Sequence, residues 1–283
     1  MKYHKQEADC WVNNSFTSIE LAAESATHLA IGAHQDDLEF MAYHGIASCY
    51  KESDKWFAGI TVTNGVGSAL GGEFANLTPQ KLGSLRAKEQ RQAAQLGDYA
   101  YQVQLGYSSS EIKNVNSEKS FNKLVCELTQ LLELTQPQVV YLHQPADKHP
   151  THIAVFKASL EALRNLPDKK QPKYIYGCEG WRDLDWLSDD EKIALDVSAY
   201  PELAKQLMLV FESQIQSGKR YDLATLGRRR ANATYYNPHS LDVMQAVTWA
   251  LDLKPLLINK ELSIKSFIET KIDKFKDEVL ANL

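Results

Sequence analysis

The sequence has few cysteines, no long apolar run and no strong charge of one sign, and each absence excludes a class of protein. Its 283 residues include four cysteines, none of them in a CxxC pair, which argues against a thiolate zinc site and indicates a reducing compartment. No apolar run is long enough to cross a bilayer. The net charge of -5 gives no global argument for binding to nucleic acid or membranes. What remains is an ordinary globular protein, 44% hydrophobic and 24% charged.

The N-terminal residues 1–7 are polar and lack the apolar core of a signal peptide. We therefore expect a cytoplasmic protein with no membrane span and no nucleic acid partner. A chain of this length can bury a substantial core without disulfides. The sequence leaves association into a homo-oligomer open.

Runs typical of strands alternate with segments that have helical spacing. The strand-like runs lie at about 28–33, 56–63, 101–105, 139–142 and 173–177, and the helical segments at about 38–50, 79–97, 120–134 and 151–165. This alternation predicts an α/β fold, with a mainly parallel, doubly wound sheet and helices on both faces.

The pattern changes near residue 180. Residues 1–27 form a polar lead-in that we expect to be partly helical. Beyond about residue 180 the spacing is mostly helical and ends in an amphipathic segment at 259–283. No repeat, low-complexity tract or clear linker separates these parts. We expect a single domain over 1–283, with a core of about 28–180 and a helical C-terminal extension of about 181–283.

Two short polar clusters, each close behind a strand-like run, are the most informative feature of the chain. Residues 33–39 read Ala-His-Gln-Asp-Asp-Leu-Glu, and residues 147–152 read Asp-Lys-His-Pro-Thr-His. The carboxyl ends of parallel strands share one edge of a sheet, and ligand sites form there. The sequence therefore predicts that the two clusters meet at that edge.

The spacing within each cluster suits a metal ion. His34 and Asp37 lie three residues apart, as do His149 and His152, and this separation can point two side chains into one space. A catalytic zinc site takes three protein ligands, for which imidazole and carboxylate groups are usual. His34, Asp37 and His152 make a sensible set, which leaves the Asp36 carboxylate to accept a proton from water. Either cluster alone is more typical of a surface turn or a helix cap, so the prediction depends on both.

These clusters resemble the two signatures of the PIG-L/LmbE-like deacetylases. Residues 33–39 are similar to the AHPDDxE motif, and residues 149–152 are similar to the second motif, usually HPDH. The resemblance implies a Rossmann-like fold and a metal-dependent enzyme, usually with zinc, although another divalent metal such as Fe²⁺ is left open. It also implies removal of an acetyl group from the nitrogen of an N-acetylglucosamine unit. The substrate would be a glycolipid, a thiol-precursor glycoside or a small chito-oligosaccharide.

Carried over position by position, the resemblance assigns roles to the clusters. It implies metal ligation by His34, Asp37 and His152. It makes Asp36 the general base, and it makes His149 the residue that stabilises the oxyanion or assists the leaving amine.

Two further positions have an expected role and an equally plausible alternative. Glu39 would support the start of the helix, where an acid in the first turn is common for purely structural reasons. The stretch Arg-Ala-Lys-Glu at 86–89 resembles a helix of the family whose arginine reaches the sugar, which makes Arg86 a substrate-binding candidate. A solvated helix face or an Arg86–Glu89 ion pair explains the same pattern.

The chain departs from the family pattern at two positions. Gln35 replaces the usual proline, so the turn loses a fixed φ angle. Thr151 replaces an aspartate that can orient the catalytic histidine, and threonine carries no charge. Either Asp147 takes over that role, or His149 has a lower pKa than its counterparts in the family.

Alternative functions remain at the level of sequence. The same metal site would serve an amidase or esterase acting on another acylated small molecule, and the two departures suggest a non-catalytic sugar-binding relative. A nucleotide-binding oxidoreductase is disfavoured because the first strand is not followed by a glycine-rich phosphate turn.

The C-terminal part offers weaker candidates, each with a structural explanation that we favour. The basic run at 228–230 could bind an anionic group but is more typical of a solvated helix face. Aromatic residues could stack on a sugar but more often pack in a core or interface. A histidine in a loop is usually a surface residue. The positions concerned are Arg228, Arg229, Arg230, Trp181, Trp186, Tyr235, Tyr236 and His239.

Overall fold

A computed structural model describes residues 3–67, 71–113, 118–216, 218–237 and 239–283 of the protein. This part of the chain contains eight strands: β1 (Asp9–Val12), β2 (Ala26–Gly32), β3 (Trp56–Thr63), β4 (Tyr101–Tyr107), β5 (Val139–His143), β6 (Tyr174–Cys178), β7 (Lys192–Asp196) and β8 (Val247–Asp252). It also contains helices α1 (Ile19–Ser25), α2 (Asp37–Met41), α3 (Tyr43–Cys49), α4 (Pro79–Leu96), α5 (Ser109–Lys113), α6 (Glu118–Thr135), α7 (Pro150–Arg164), α8 (Pro201–Leu209), α9 (Glu212–Ile215), α10 (Tyr221–Thr234), α11 (Lys254–Ile258) and α12 (Ile264–Ala281).

The strands form one mixed sheet in the order β1-β4-β3-β2-β5-β6-β8-β7. The five strands from β4 to β6 are parallel, while β1 and β8 pair antiparallel with their neighbours. The chain builds outward from β2 in one direction through β3 and β4, and then in the other direction through β5 and β6. The order therefore reverses between β2 and β5, which is where open α/β sheets bind ligands.

Hydrophobic packing covers both faces of this sheet. Leu29 and Ile31 of β2 belong to a core shared with α6 and α7, whereas Ala30 between them belongs to a second core with α2 and α3. Alternate residues of a strand point to opposite faces, so β2 has to be apolar throughout. The predicted mainly parallel α/β fold with helices on both faces is confirmed.

The best-predicted elements carry strong local signals. Strand β3 has the predicted bounds, because its sequence is mostly apolar and seven of its eight residues are buried. Helix α4 begins after Thr78, whose hydroxyl accepts a hydrogen bond from the Lys81 N–H (3.3 Å), with Pro79 in its first turn. Its C-cap is Gly97, as predicted.

The structure adds elements that the sequence analysis does not predict. The polar lead-in contains the helix α1, in agreement with the partly helical character expected of it, and also the unpredicted strand β1. The C-terminal part is helical as expected, but it also contributes β7 and β8 to the sheet. The helix predicted at 38–50 is interrupted at Ala42 (φ -111°, ψ 21°), which separates α2 from α3. Within the described ranges, no helix is both long and apolar enough to cross a membrane.

Candidate metal centre and active site

The two polar clusters meet where the sheet reverses direction. Strands β2 and β5 are parallel neighbours, with Leu29 opposite Val140 and Ile31 opposite Leu142. The first cluster follows β2 and leads into α2, and the second follows β5 and leads into α7. Since both loops leave the same edge of the sheet, the side chains of the clusters come into contact.

Asp37 lies at the centre of this contact. Its Oδ2 atom is 3.3 Å from His34 Nδ1 and 3.3 Å from His143 Nε2, and its Oδ1 atom is 3.3 Å from His152 Nε2. The N–H groups of Ala33 and His34 donate to Oδ2 over 2.9 and 2.6 Å. These backbone bonds fix one oxygen of the carboxylate and leave the other facing His152.

His152 belongs to two overlapping groups of possible metal ligands. One consists of His34, His149 and His152, and the other of Asp37, His143 and His152; in each, the donor atoms lie within 4.8 Å of one another. The predicted set of His34, Asp37 and His152 draws on both groups. His143, the last residue of β5, is the member that the sequence analysis missed.

The donor atoms suit a divalent cation. Zinc bonds of about 2.0–2.2 Å in a tetrahedron place neighbouring ligand atoms about 3.3–3.6 Å apart, and the contacts of Asp37 are at that spacing. His152 Nε2 is buried and has no hydrogen-bond partner among the described residues, as expected for an atom that has a ligand's role. Imidazole and carboxylate ligands are compatible with zinc and with iron.

Asp147 holds the second cluster in place. Its Oδ2 atom lies 3.3 Å from His152 Nδ1 and accepts a hydrogen bond from the Trp181 N–H (2.9 Å), while Oδ1 accepts from the His149 N–H (2.8 Å). A carboxylate behind a metal-ligating imidazole orients the ring and fixes its tautomer. Asp147 is therefore placed to aim Nε2 of His152 at Asp37.

The charged groups at the centre shift one another's pKa values. Burial would raise the pKa of Asp37, but His152 and His143 lower it well below its usual range. Burial would lower the pKa of His152, but Asp37 and Asp147 outweigh this effect and raise it to about 10. The carboxylate form of Asp37 is thus strongly favoured, whereas His152 would have to lose its proton to bind a metal.

With Thr151 in place of the usual aspartate, the ring of His149 has no carboxylate partner among the described residues. Asp147 contacts the backbone of His149 and the ring of His152, and His149 Nδ1 has no hydrogen-bond partner in the described part of the chain. Burial and the neighbouring His152 and His34 lower the pKa of His149 to about 4. Of the two alternatives posed by the sequence, the geometry favours the lower pKa.

Asp36 adopts a backbone conformation that is rare for a residue with a side chain. Its φ is 99° and its ψ is -31°, and only 8% of the residue is exposed. Its N–H donates to Gln90 Oε1 (3.3 Å), and Gln90 Nε2 donates to Glu39 Oε1 (2.9 Å), which also accepts from the Tyr99 hydroxyl (2.7 Å). Burial raises the pKa of Glu39 to about 8. Glu39 therefore supports the turn from within, and it belongs to neither group of possible metal ligands among the described residues.

Gln35 holds the turn by hydrogen bonds, where a proline would hold it by its ring. Its side chain is buried and donates to Thr63 O (3.0 Å) and to Gln104 Oε1 (3.1 Å). Its carbonyl accepts from Gln214 Nε2. With glutamine in place of the usual proline, hydrogen bonds of both the side chain and the carbonyl of residue 35 thus hold the conformation next to Asp36.

The site opens into a cavity of about 370 Å³. One wall is aromatic: the Trp181 ring stacks at 5.9 Å and 25° on His149, and the Tyr221 ring meets Trp181 edge-on at 5.7 Å. Of the aromatic candidates in the C-terminal part, Trp181 lines the cavity, whereas Trp186, Tyr235 and Tyr236 are absent from its described lining.

Arg86 is buried and lines the cavity, so it does not lie on a solvated face. Its Nη1 donates to Gly65 O. It makes no ion pair with Glu89 in the described structure, because the Glu89 carboxylate accepts from the N–H (2.8 Å) and the hydroxyl (2.6 Å) of Ser213 instead. The predicted position at the cavity is consistent with substrate contact.

The expectation of a solvated basic run is wrong for two of its three arginines. Arg229 is buried and Arg228 half-buried, and both line the cavity. Arg230 is exposed and pairs with Asp242 at 3.0 Å. These three consecutive residues of α10 thus lie on different faces of the helix. His239 is exposed, as expected.

Comparisons with known proteins agree with this geometry. Residues 29–163 match the family described as PIG-L: GlcNAc-PI de-N-acetylase. A search of curated proteins gave no match.

Solved structures with similar folds include enzymes of more than one kind. The N,N'-diacetylchitobiose deacetylase of Pyrococcus horikoshii is 17% identical with a TM-score of 0.60, and the similarity covers 86% of this chain and 90% of that one. A deacetylase of teicoplanin biosynthesis is 18% identical with a TM-score of 0.54, covering 79% and 96%. The 4-carboxy-2-hydroxymuconate hydratase GalB of Pseudomonas putida is 16% identical with a TM-score of 0.61, covering 81% and 96%.

At these identities the solved structures establish the fold alone, and the family assignment depends on the sequence match. The resemblance drawn from the two motifs is thereby confirmed, and residues 29–163, which include both polar clusters, form a domain of the PIG-L (GlcNAc-PI de-N-acetylase) family.

Proposed function

We propose that the protein is a metal-dependent deacetylase that hydrolyses the acetamido group of an N-acetylglucosamine-type substrate. The observation that carries this proposal is the contact of Asp37 with three imidazoles at 3.3 Å, next to a buried Asp36, at the base of one cavity. The family match and the deacetylases among the similar folds support it.

His34, Asp37 and His152 would hold the metal, with zinc the first expectation and Fe²⁺ an alternative. A divalent cation bound there would polarise the acyl carbonyl and lower the pKa of the attacking water. Asp147 orients His152 through its contact with Nδ1 of that ring. His143 orients Asp37 through its contact with Oδ2 of that carboxylate.

Asp36 would carry the proton of the reaction. It accepts a proton from water as the water oxygen bonds to the acyl carbon, and it returns that proton to the nitrogen as the amide C–N bond breaks. The products are acetate and a free amine, and no other reactant is needed. The hydrogen bond from the Asp36 N–H to Gln90 keeps the carboxylate at the cavity while the proton moves.

His149 and the aromatic wall would position the substrate. The His149 ring lies 5.0 Å from that of His34 and 4.5 Å from that of His152, on the cavity side of the centre. It is placed to hydrogen-bond the acyl oxygen or the leaving amine. Trp181 offers an aromatic face to a sugar ring, and Arg86 of α4 offers a donor to the same cavity.

A hydrolase for another acylated small molecule would use the same groups, and substrate profiling separates the two. The test is elemental analysis of the purified protein together with free-amine release from a panel of N-acetylglucosaminides. We expect about one divalent metal per chain and release from at least one member of the panel. Metal without amine release from any member would favour a binding protein, and neither metal nor release would overturn the proposal.

A further inference from the structure

The last helix, α12, packs on the rest of the chain mainly through its N-terminal part. Phe267 is buried in the core, and Lys271 binds Glu191 at 2.6 Å. In contrast, every residue from 275 to 283 is exposed. The C-terminal part of the helix therefore gains little from contacts with its own chain.

This helix carries an apolar stripe, formed by Ile268, Ile272, Phe275 and Val279. Ile268 is half-buried, while Ile272, Phe275 and Val279 are 49%, 37% and 43% exposed. Their spacing of four, three and four residues is that of a coiled-coil heptad, with Ile272 and Val279 at a positions and the other two at d positions. Helices gain most of their stability from the packing of such a face. The stripe is therefore suited to a second helix.

The stripe is complementary to itself when two copies run antiparallel. In that arrangement, Ile272 of each copy lies opposite Phe275 of the other. The same register brings Ile268 opposite Val279 at each end of the stripe, because both pairs are symmetric about one point between residues 273 and 274. A continuous row of layers follows, each with one a and one d residue.

The charges beside the stripe favour this antiparallel arrangement. Glu269 and Lys276 occupy e positions on one flank, and the antiparallel register places Glu269 of each copy beside Lys276 of the other. A parallel pair would instead place Lys271, a g position, beside Lys276 of the second copy, where the two charges repel. The existing partners of Glu269 and Lys276 belong to the same helix, and these exposed pairs with Lys265 and Asp273 contribute little to stability.

The charge of α12 argues against the other common use of an amphipathic helix, binding to a membrane surface. Helices of that kind carry an excess of lysine and arginine, which attracts anionic lipid. In α12 the lysines and the acids are equal in number, with four of each: Lys265, Lys271, Lys274, Lys276, Glu269, Asp273, Asp277 and Glu278. A surface that carries both signs of charge, such as a second α12, matches this pattern better.

We propose that two copies of this protein associate through α12, packed as an antiparallel pair along the stripe. The helix lies outside residues 29–163, which match the family, so this surface belongs to the C-terminal part of this chain. At a rise of 1.5 Å per residue the stripe is only about 17 Å long. The interface is therefore small, and we expect a dimer that dissociates on dilution. The proposal depends on neither the metal centre nor the deacetylase activity.

Sedimentation equilibrium of the full-length protein from about 1 to about 200 µM tests the association. We expect a monomer–dimer equilibrium with a Kd on the order of 10 µM. Ile272→Glu, which puts a charge into the stripe, should weaken it at least about 30-fold. Thr270→Glu adds the same side chain at an exposed f position and should leave it unchanged. A wild type that stays monomeric throughout, or an Ile272→Glu variant that dimerises as well as Thr270→Glu, would overturn the proposal.

A mixing experiment tests the orientation of the pair. Glu269→Lys and Lys276→Glu should each weaken self-association by about ten-fold, because each replaces two attractive contacts of the dimer by two repulsive ones. An equimolar mixture of the two variants should dimerise with about the affinity of the wild type, since every such contact then joins a lysine to a glutamate. Mixing cannot reverse an effect within one helix. A mixture that associates no better than the separate variants would contradict antiparallel pairing.

Vesicles separate association with a second copy from binding to lipid. We expect the wild type to remain in the supernatant when vesicles of phosphatidylcholine and phosphatidylserine are pelleted. Binding to these vesicles by a wild type that stays monomeric, with loss of that binding in Ile272→Glu, would assign the stripe to a membrane surface and overturn the proposal.

Discussion

The ring of His143 stacks on the ring of His152, with centroids 3.9 Å apart and planes 15° from parallel. The Nε2 atoms of the two rings lie 3.3 Å from opposite oxygens of Asp37. His143 is almost fully buried, so its ring has little freedom. It therefore acts as a positioning residue that fixes both the carboxylate and the neighbouring imidazole.

Two substitutions separate the stacking of His143 from its polar contact. His143→Phe keeps an aromatic ring against His152 but leaves Asp37 Oδ2 without that nitrogen, and we expect zinc affinity to fall by about 10–100-fold. His143→Gln keeps a side-chain N–H within reach of Asp37 and should lose less. Competition with a chromophoric chelator measures both. Wild-type affinity in His143→Phe would show that the polar contact is dispensable.

Gly180 makes room for Asp147. A Cβ atom at Gly180 would lie 2.5 Å from Asp147 Oδ2, closer than any real contact allows. Gly180→Ala should therefore displace the carboxylate from His152 and from the Trp181 N–H, weakening zinc binding and raising KM. Gly227→Ala is the control, because nothing lies within 4 Å of its Cβ position; in α10 it should stabilise the fold by up to about 1 kcal/mol. Equal zinc affinities in the two variants would contradict this role of Gly180.

His28 should make the protein less stable in acid. Burial, with smaller effects of His44 and Lys55, lowers the pKa of His28 to about 4, below its usual 6.5. The folded state then binds fewer protons than the unfolded state between these values, so the stabilising effect is complete above pH 6.5 and is lost as the pH falls toward 4. His28→Gln should flatten the dependence of Tm on pH in that window. His239→Gln, at an exposed position, should not, and identical profiles for wild type and His28→Gln would contradict the prediction.

The sequence predicts elements well where one local signal dominates. Strand β3 is a mostly apolar run, and α4 has a threonine cap, a proline in its first turn and a glycine at its end. Strands β7 and β8 are missed because they are short and lie in a stretch with helical neighbours. Only the antiparallel pairing of β8 with β6 reveals that they extend the sheet.

Prediction of the site residues is likewise limited to those with a local signal in the sequence. The residues of the two clusters are found because their spacing is local. His143 is missed because no other candidate ligand lies near this histidine, at the end of a buried strand, with the spacing of a metal site. Its position beside Asp37 follows from the register of β5 against β2. Arg229 is misjudged because the sequence cannot tell which face of α10 packs against Glu39 and Phe40.

The central claim is that Asp36 moves the proton in a metal-dependent deacetylation, and Asp36→Asn tests it most directly. Asparagine tolerates a positive φ and lacks the basic carboxylate, so the variant should fold and bind metal. Asp98→Asn is a matched control, because Asp98 also has a positive φ (54°) but contacts Asn13 instead of the cavity.

The measurement is free-amine release from N-acetylglucosaminides by zinc-loaded protein, with the metal content of each sample determined in parallel. We predict release by the wild type and by Asp98→Asn, and a loss of at least about 100-fold in Asp36→Asn at equal zinc content. Wild-type release by Asp36→Asn would contradict the account.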